Sequence, residues 1–209
     1  MLYDVRSARD NIRNKDGKRV FYLGHGDQLT PSARDELGRL RVEILPPPQK
    51  GAPKPEHMTH LNGDTLVEKT HPVIRFRGCV DRLEAELLLC GLRLPRLKPA
   101  LQELLELSRQ LIAADVLGEP VKEMSLLGLT EQELRQHSHF PQKYYNMPHF
   151  MPEFTDSAEV LELNRLRTII RATELAAVEA HPTRTDILQA LNRMSSAVYI
   201  LMIKLKIDN

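Results

Sequence analysis

The sequence is poor in cysteine and has no tryptophan. Its two cysteines, Cys79 and Cys90, fall in one predicted helix. Eleven positions of helix correspond to about 16 Å along the axis. A disulfide cannot bridge that distance, so we expect both thiols to stay free. The CxxC and CxxH spacings of zinc sites are also missing, which argues against a structural zinc fold.

Long apolar runs are absent as well. Apolar stretches such as Leu87–Leu89 and Tyr199–Ile203 are far shorter than the roughly 20 residues of a membrane-spanning helix. The first residues, Met1–Arg6, do not have the basic start followed by an apolar run that is typical of a secretory signal. We therefore expect a cytoplasmic protein, and leave open its association with a bacterial microcompartment.

Charge of neither sign dominates. The 29 Lys and Arg residues against 28 Asp and Glu residues give a net charge of +1, without a long basic block. Such a chain lacks the concentrated positive charge that binds a phosphate backbone, so a nucleic-acid-binding function is not expected. The 209 residues suffice for one core and a small appendage.

Residues 1–45 predict a small α/β appendage. A β-like run at Arg19–Leu23 precedes a helix that Thr30 can cap and Pro31 can begin, and the alternating segment Leu40–Leu45 follows as a second strand. This order indicates a β-α-β unit. Residues 46–58 are rich in proline and predict a linker or an exposed loop.

Residues 59–209 predict an all-α core, an antiparallel bundle of four or five helices. Apolar residues recur there at steps of three and four, as in Val73, Phe76, Val80, Leu83, Leu87 and Cys90. Thr130 and Glu133 form a capping-box signature, and the last two helices are predicted from Asp156 to about Ala180 and from Thr185 to about Lys206.

One helix carries a second, polar stripe beside its apolar one. Asn164, Arg167, Arg171 and Glu174 follow one another at steps of three, four and three. The stripe is either a solvated face held by ion pairs or a site for an oligophosphate, because a guanidinium stays charged and offers fixed donors. Spacing alone favours the first interpretation.

Three other polar features also have two interpretations. Asn192 shares a helix face with apolar residues, so it is expected to be partly buried with partners that are structural or a ligand. Asp81 is a surface carboxylate or an interface group. The segment Thr59–Thr65 is a simple turn or a phosphate cradle, since its Asn-Gly step exposes backbone N–H groups.

The eight histidines give weak metal candidates. His137 with His139, and His57 with His60, are the nearest to ligand spacing, but no cysteine or carboxylate joins either pair. No protein-bound metal is predicted.

Taken in order, these segments resemble the signatures of the PduO-type ATP:corrinoid adenosyltransferases. They are Asn62-Gly63-Asp64, Gly78–Leu83, Arg167–Glu174 and Leu191–Ser195. The likeness is closer to the ethanolamine-utilisation branch, EutT, and extends to Leu29–Arg34, Thr59–Leu61 and Asp186–Arg193. It covers roughly residues 28–45 and 57–205, and the order and spacing of the motifs carry it.

The resemblance implies an enzyme that moves the 5′-deoxyadenosyl group of ATP onto the cobalt of cob(I)alamin and releases triphosphate. It implies Mg²⁺ with ATP, ethanolamine ammonia-lyase as the downstream recipient of adenosylcobalamin, and a ring-shaped homo-oligomer, with a trimer favoured. Cobalt(I) is itself a strong nucleophile, so no general base is needed.

The same resemblance assigns the site residues. ATP would be held by Thr59, Asn62, Gly63, Asp64 and Lys69, supplied by one subunit. Asp81 would pair across the subunit interface with Arg167, Arg171 would reach the phosphates, and Glu174 follows on the same stripe. Asn192 would contact the nucleotide or its Mg²⁺. Phe150 would be the aromatic ring under the corrin, with Phe154 or plain core packing as the alternatives.

The chain also departs from the family pattern. Many EutT proteins carry a His and a Cys-Cys-x-x-Cys cluster where this chain has its proline-rich residues 46–58, so we predict no metal there. His60 replaces the usual lysine of the phosphate loop, and Arg82 replaces the usual glutamate after Asp81. The rival hypotheses are a non-catalytic corrinoid-binding or delivery protein, a microcompartment-associated bundle and, from the appendage, a nucleotide-dependent regulator.

Overall fold

A computed structural model describes residues 1–15, 17–46, 54–63, 65–122 and 124–208. Residues 47–53 of the predicted proline-rich linker therefore lie outside the described residues. The chain divides into two compact units, Met1–Lys69 and Thr70–Asn209.

The first unit is a small α/β arrangement. Its elements are β1 (Leu2–Tyr3), α1 (Val5–Asp10), β2 (Arg13–Lys15), β3 (Lys18–Tyr22), β4 (Gln28–Leu29), α2 (Pro31–Arg39), β5 (Glu43–Leu45), β6 (Met58–Asn62) and β7 (Thr65–Glu68).

The predicted β-α-β unit is present as β3, α2 and β5. The two strands pair in parallel, and the Thr30 side chain accepts a hydrogen bond from the Ala33 N–H at the start of α2. Phe21 and Leu37 are fully buried in the small core of this unit. A separate antiparallel hairpin is formed by β6 and β7, with a register irregularity between His60 and Asn62.

The second unit is helical. Its elements are α3 (Pro72–Arg93), a 3₁₀ turn (Pro95–Leu97), α4 (Lys98–Leu117), β8 (Ser125–Leu126), β9 (Leu129–Thr130), α5 (Glu131–His139), α6 (Pro141–Tyr145), α7 (Ala158–Ala180) and α8 (Thr185–Asp208).

Long helices form the layers of the bundle. In it α3 packs on α4 and α7, and α7 packs on α8. Arg75 pairs with Glu179 at one end of α3 and Arg93 with Glu162 at the other, so α3 and α7 run antiparallel. The all-α core predicted from the periodicity is therefore confirmed.

Helix α8 is the most deeply buried of the long helices. Thirteen of its residues are buried, because α4, α5, α6 and α7 all pack against it. Within the described part of the chain, no helix is both long and apolar enough to cross a membrane.

Helix ends follow the local sequence with one difference. Thr130 and Glu133 form the predicted capping box, and Gly118 ends α4 in the left-handed region. The residue that caps α7 is Ser157, which accepts from the Val160 N–H, rather than Asp156. Asp156 instead pairs with Lys206 of α8, and this pair ties the start of α7 to the end of α8.

Candidate functional site

A cleft of about 460 Å³ opens between α7 and α8. The end of α5 and the segment after α6 complete its wall. The residues that line it are Ser138, His139, His149, Phe150, Met151, Arg167, Arg171, Asn192, Ser195, Ser196 and Tyr199. Arg167, Arg171, Asn192 and Phe150 among them are predicted site residues.

The two arginines come from the polar stripe of α7. They stand one helical turn apart, so both side chains leave the same face. Arg167 is half-buried, and its guanidinium carbon lies 5.8 Å from the centre of the Tyr199 ring. Arg171 is exposed at the mouth of the cleft.

The charge of Arg167 is not compensated by a carboxylate. Its Nη2 donates a weak hydrogen bond of 3.4 Å to Asn164 Oδ1, and its buried Nε has no partner among the described residues. Burial lowers the pKa of the Arg167 guanidinium, and the nearby charge of Arg171 lowers that pKa further. The cleft therefore holds excess positive charge, which an anionic ligand would compensate.

Glu174 and Asn192 connect the two helices beside these arginines. The Asn192 amide Nδ2 donates to Glu174 Oε1 at 3.1 Å. Arg193 Nη2 in turn donates to Asn192 Oδ1 at 2.6 Å. Asn192 is partly buried, as predicted from its helix face.

Aromatic side chains form the opposite wall. The Phe150 ring stacks on Tyr199 at a centroid distance of 5.5 Å, and the Phe150 N–H donates to the Tyr199 hydroxyl at 3.2 Å. Lys206 Nζ lies 4.6 Å from the centre of the Phe150 ring. His149 fixes the same segment, since its Nε2 lies 2.9 Å from the His139 carbonyl oxygen and its Nδ1 lies 3.3 Å from the Tyr199 hydroxyl.

Phe154 is placed differently from Phe150. Its side chain is fully exposed, and it does not line the cleft. Met151 does line the cleft and is 85% exposed.

Asp81 does not join the cleft. It is exposed on the outer face of α3, and no hydrogen bond or ion pair of its side chain is found in the part of the chain that the structure describes. Asp81 and Arg167 are thus not paired within one chain. A pair across a subunit interface, as the resemblance implies, stays a prediction.

The predicted ATP-loop residues belong to the first unit. Thr59 pairs with Val67 in the hairpin, and Asn62 pairs with Thr65. Gly63 turns the chain with a φ of +45°, as the Asn-Gly step indicates. Lys69 directly follows the hairpin, and Asp64 lies outside the described residues.

Several residues in or beside the cleft were not predicted as site residues from the sequence. Tyr199 and Ser195 occupy the same face of α8 as Asn192, and this spacing could have identified them. Arg193 could not have been identified this way, because an arginine beside an asparagine normally indicates a solvated position. It is buried on α8, the helix against which α5 packs.

A protein metal centre is not evident. Among the described residues, no group of three or more His, Cys, Asp or Glu side chains could hold a metal ion. Both cysteines are free, as expected from their spacing.

Comparison with known proteins identifies a family and similar proteins. Residues 52–205 match the family model of cobalamin adenosyltransferase. The chain is also similar to a protein named corrinoid adenosyltransferase EutT from Escherichia coli K12, with 33% identity over 88% of this chain and 84% of that protein. The protein of the same name from Salmonella typhimurium is 33% identical over 93% of this chain and 88% of its own length. No solved structure matches the chain.

Proposed function

Since this chain belongs to the cobalamin adenosyltransferase family, we propose that it carries out adenosyl transfer in the cleft between α7 and α8. The enzyme transfers the 5′-deoxyadenosyl group of ATP to the cobalt of a reduced corrinoid. Cobalt(I) attacks the ribose C5′, the C5′–O bond breaks, and its electron pair leaves with triphosphate. The protein has to align the reactants and compensate the charge of the leaving group.

The observation that carries the location is the uncompensated charge of Arg167 beside Arg171. A half-buried arginine without a carboxylate partner in its own chain is costly unless a ligand or a neighbouring subunit supplies the negative charge. Triphosphate is such a ligand, and planar guanidinium groups bind phosphate oxygens in pairs. In this proposal Arg171 contacts the phosphates from the mouth of the cleft.

Asn192 and Glu174 hold the nucleotide end of the same cleft. Asn192 has a second amide N–H and a second oxygen lone pair left for a ligand. Mg²⁺ usually binds through substrate phosphates and one or two carboxylates. Glu174 is a carboxylate next to the proposed phosphate site, so it fits a Mg²⁺ ion bound with ATP.

Phe150 is the aromatic ring that we assign to the lower face of the corrin. It lines the cleft, whereas Phe154 does not. With Tyr199 and Met151 it gives this wall an apolar surface, which would exclude water from the cobalt.

The hairpin residues Thr59, Asn62, Gly63, Asp64 and Lys69 complete the ATP site in this proposal, supplied by a neighbouring subunit. The bulge between His60 and Asn62, followed by the positive φ of Gly63, supports this role, because bulges often redirect backbone groups next to binding sites.

A homo-oligomer, with a trimer favoured, is the proposed assembly. The outer faces of α3 and α7 expose large apolar side chains, namely Leu88, Leu89, Leu92, Leu175 and Val178. Exposed apolar surface of this kind is typical of an interface between subunits. Asp81 lies on the same face of α3, where it could meet Arg167 of a neighbour.

We place the reaction in ethanolamine catabolism, because the similar proteins are named EutT. Ethanolamine ammonia-lyase would then receive the adenosylcobalamin, and the protein would act in the cytoplasm, with or without attachment to a microcompartment.

The direct test is an anaerobic assay with purified protein, ATP and chemically reduced cobalamin. We expect light-sensitive adenosylcobalamin and an equal amount of triphosphate. Protein without ATP, and ATP without protein, are the controls. Corrinoid binding without any product would contradict the proposal and favour the non-catalytic delivery protein.

A further inference from the structure

Arg193 is a buried charged residue with unused donors. Only 7% of the residue is exposed, and it lies outside the lining of the cleft. Its Nε and Nη1 have no hydrogen-bond partner among the described residues. The bond from Nη2 to Asn192 Oδ1, at 2.6 Å, is its one described hydrogen bond.

Such an arrangement is unfavourable for folding alone. Burial lowers the pKa of the Arg193 guanidinium, and the charges of Glu131 and Glu174, which raise it, are opposed by that of Arg135. Buried charges are normally paired, and a well-packed apolar side chain would often be as stable or more stable at such a position. The single contact that Arg193 makes therefore points to its role.

We propose that Arg193 is a positioning residue that fixes the amide of Asn192 for the nucleotide. This inference rests on the proposed function, because it takes Asn192 to contact ATP. Arg193 does not itself line the cleft, so it would act through Asn192 rather than on the substrate.

The physical reason is the chemistry of the two partners of Asn192. Arginine can only donate hydrogen bonds, and an ionised glutamate can only accept them. Arg193 therefore requires the amide oxygen on its side, and Glu174 requires the amide nitrogen on the other. A flipped amide would place its NH₂ against the guanidinium and its oxygen against the carboxylate. Asn192 thus presents one fixed N–H and one fixed lone pair to the cleft.

Without Arg193, the orientation of Asn192 would depend on Glu174 alone. The side chain could then swing about the one remaining hydrogen bond, and ATP would have to order it on binding. The conformational entropy lost in ordering Asn192 would weaken the affinity for ATP. It would have less effect on the stability of the fold or on the binding of the corrinoid.

The test compares Arg193→Met, Arg193→Lys and Asn192→Ala, together with the double variant of Arg193→Met and Asn192→Ala. The measurements are the ATP dissociation constant by calorimetry, the KM for ATP, the cob(II)alamin dissociation constant and the melting temperature. We expect Arg193→Met to weaken ATP binding about ten-fold, the ratio that corresponds to one hydrogen bond to a charged group. Its melting temperature should equal or exceed that of the unmodified protein.

Two further results are expected. Arg193→Lys keeps the charge and one donor nitrogen, so its ATP affinity should lie between that of the unmodified protein and that of Arg193→Met. In the Asn192→Ala background, Arg193→Met should have little additional effect on ATP binding, because its target is gone.

Arg184→Met is the matched control. Arg184 is another partly buried arginine of the bundle, bound to Asp186 and to the carbonyl oxygens of Ala114 and Glu119. Arg184→Met should lower the melting temperature without a specific loss of ATP affinity. Additive effects of Arg193→Met and Asn192→Ala, or an Arg193→Met that loses stability but binds ATP normally, would overturn the inference.

ATP binding is measured without turnover, so the result is separate from the proposed function. If the unmodified protein binds ATP but forms no adenosylcobalamin, the proposed function fails, while the coupling between Arg193 and Asn192 is still decided by the binding data.

Discussion

The two faces of α7 use arginine in opposite ways. On the face toward α3, Arg165 pairs with Glu86 at 2.6 Å and with Glu162 at 2.8 Å. On the face toward α8, Arg167 has no carboxylate partner in the described structure. The two residues are separated by one position in the sequence. The difference indicates that the first face holds the bundle together, whereas the charge on the second face is left for a partner from outside this chain, which our proposal assigns to Asp81 of a neighbouring subunit and to an anionic ligand.

The pKa shifts follow the same division. The hydrogen bonds to Glu162 and Glu86 raise the pKa of the Arg165 guanidinium. Burial and the charge of Arg171 lower the pKa of the Arg167 guanidinium. A folded protein tolerates the second situation when a bound anion supplies the missing charge.

The largest expected effect is that of Arg171→Ala. Because it removes a positive charge where triphosphate leaves, kcat should fall about 10²–10³-fold. The melting temperature should hardly change, because Arg171 is exposed. Steady-state assays and thermal unfolding measure both quantities. A variant with an unchanged rate would refute the assignment of Arg171 to the phosphates.

Arg165→Ala is the matched control for that change. It is the same substitution on the opposite face of α7, so turnover should be retained. Because Arg165 is 39% exposed, we expect it to lower the free energy of unfolding by only about 1 kcal/mol. Denaturant titration measures this loss. The comparison between the two faces would fail if Arg165→Ala reduced turnover as much as Arg171→Ala does.

A second prediction concerns the proposed contact between subunits. Asp81→Ala and Arg167→Ala should each impair turnover to a similar extent, and the double variant should be little worse than either single one. Their non-additivity would express a direct interaction, typically of 0.5–3 kcal/mol between contacting residues. Purely additive losses in kcat/KM would count against the pair.

Triphosphate binding without the corrinoid gives a third prediction. Inorganic triphosphate at about 100 times its Kd should stabilise the protein by about 2.7 kcal/mol, seen as a rise in melting temperature. Arg167→Ala and Arg171→Ala should reduce this rise, while Arg165→Ala should not. An equal rise in all four proteins would show that the anion binds elsewhere.

The smallest expected effect is a pH dependence. The hydrogen bond from Arg165 keeps the pKa of Glu162 below its usual value, so ionised Glu162 stabilises the folded state. This stabilisation is complete above the unfolded pKa of about 4.3 and is lost as the pH falls through the lowered folded pKa. Glu162→Gln should therefore flatten the acid side of the stability curve. If that side is unchanged in acid titrations monitored by circular dichroism, the pair contributes nothing.

Much of the fold could be predicted because local residues specify it. The Thr30-Pro31 start of α2 and the capping box at Thr130 are decided within one helical turn, and the structure has both. The start of α7 was one residue off, because Asp156 is used by the distant Lys206 rather than by the helix.

The candidate site was predicted less completely. Helical spacing singled out Arg167 and Arg171 but favoured a solvated face. The family resemblance assigned them and Asn192 to the site, and the three residues line one cleft. Arg193 was not identified, because no local pattern distinguishes a buried arginine from a solvated one. The stacking of Tyr199 on Phe150 was not predicted either, because it joins residues far apart in the sequence. The roles of the hairpin residues and of Asp81 stay predictions.

Local sequence was enough to identify the helices, their caps, the family and the polar stripe of α7. The pairing of the arginines of that helix could be seen only once the helices were packed together. Periodicity fixes the direction in which a side chain leaves its helix, and that is a local property. Whether the charge of that side chain is paired depends on which group of the neighbouring helix lies within a few ångströms of it. For Arg165 that group is the Glu86 carboxylate, and for Arg167 it is the aromatic ring of Tyr199.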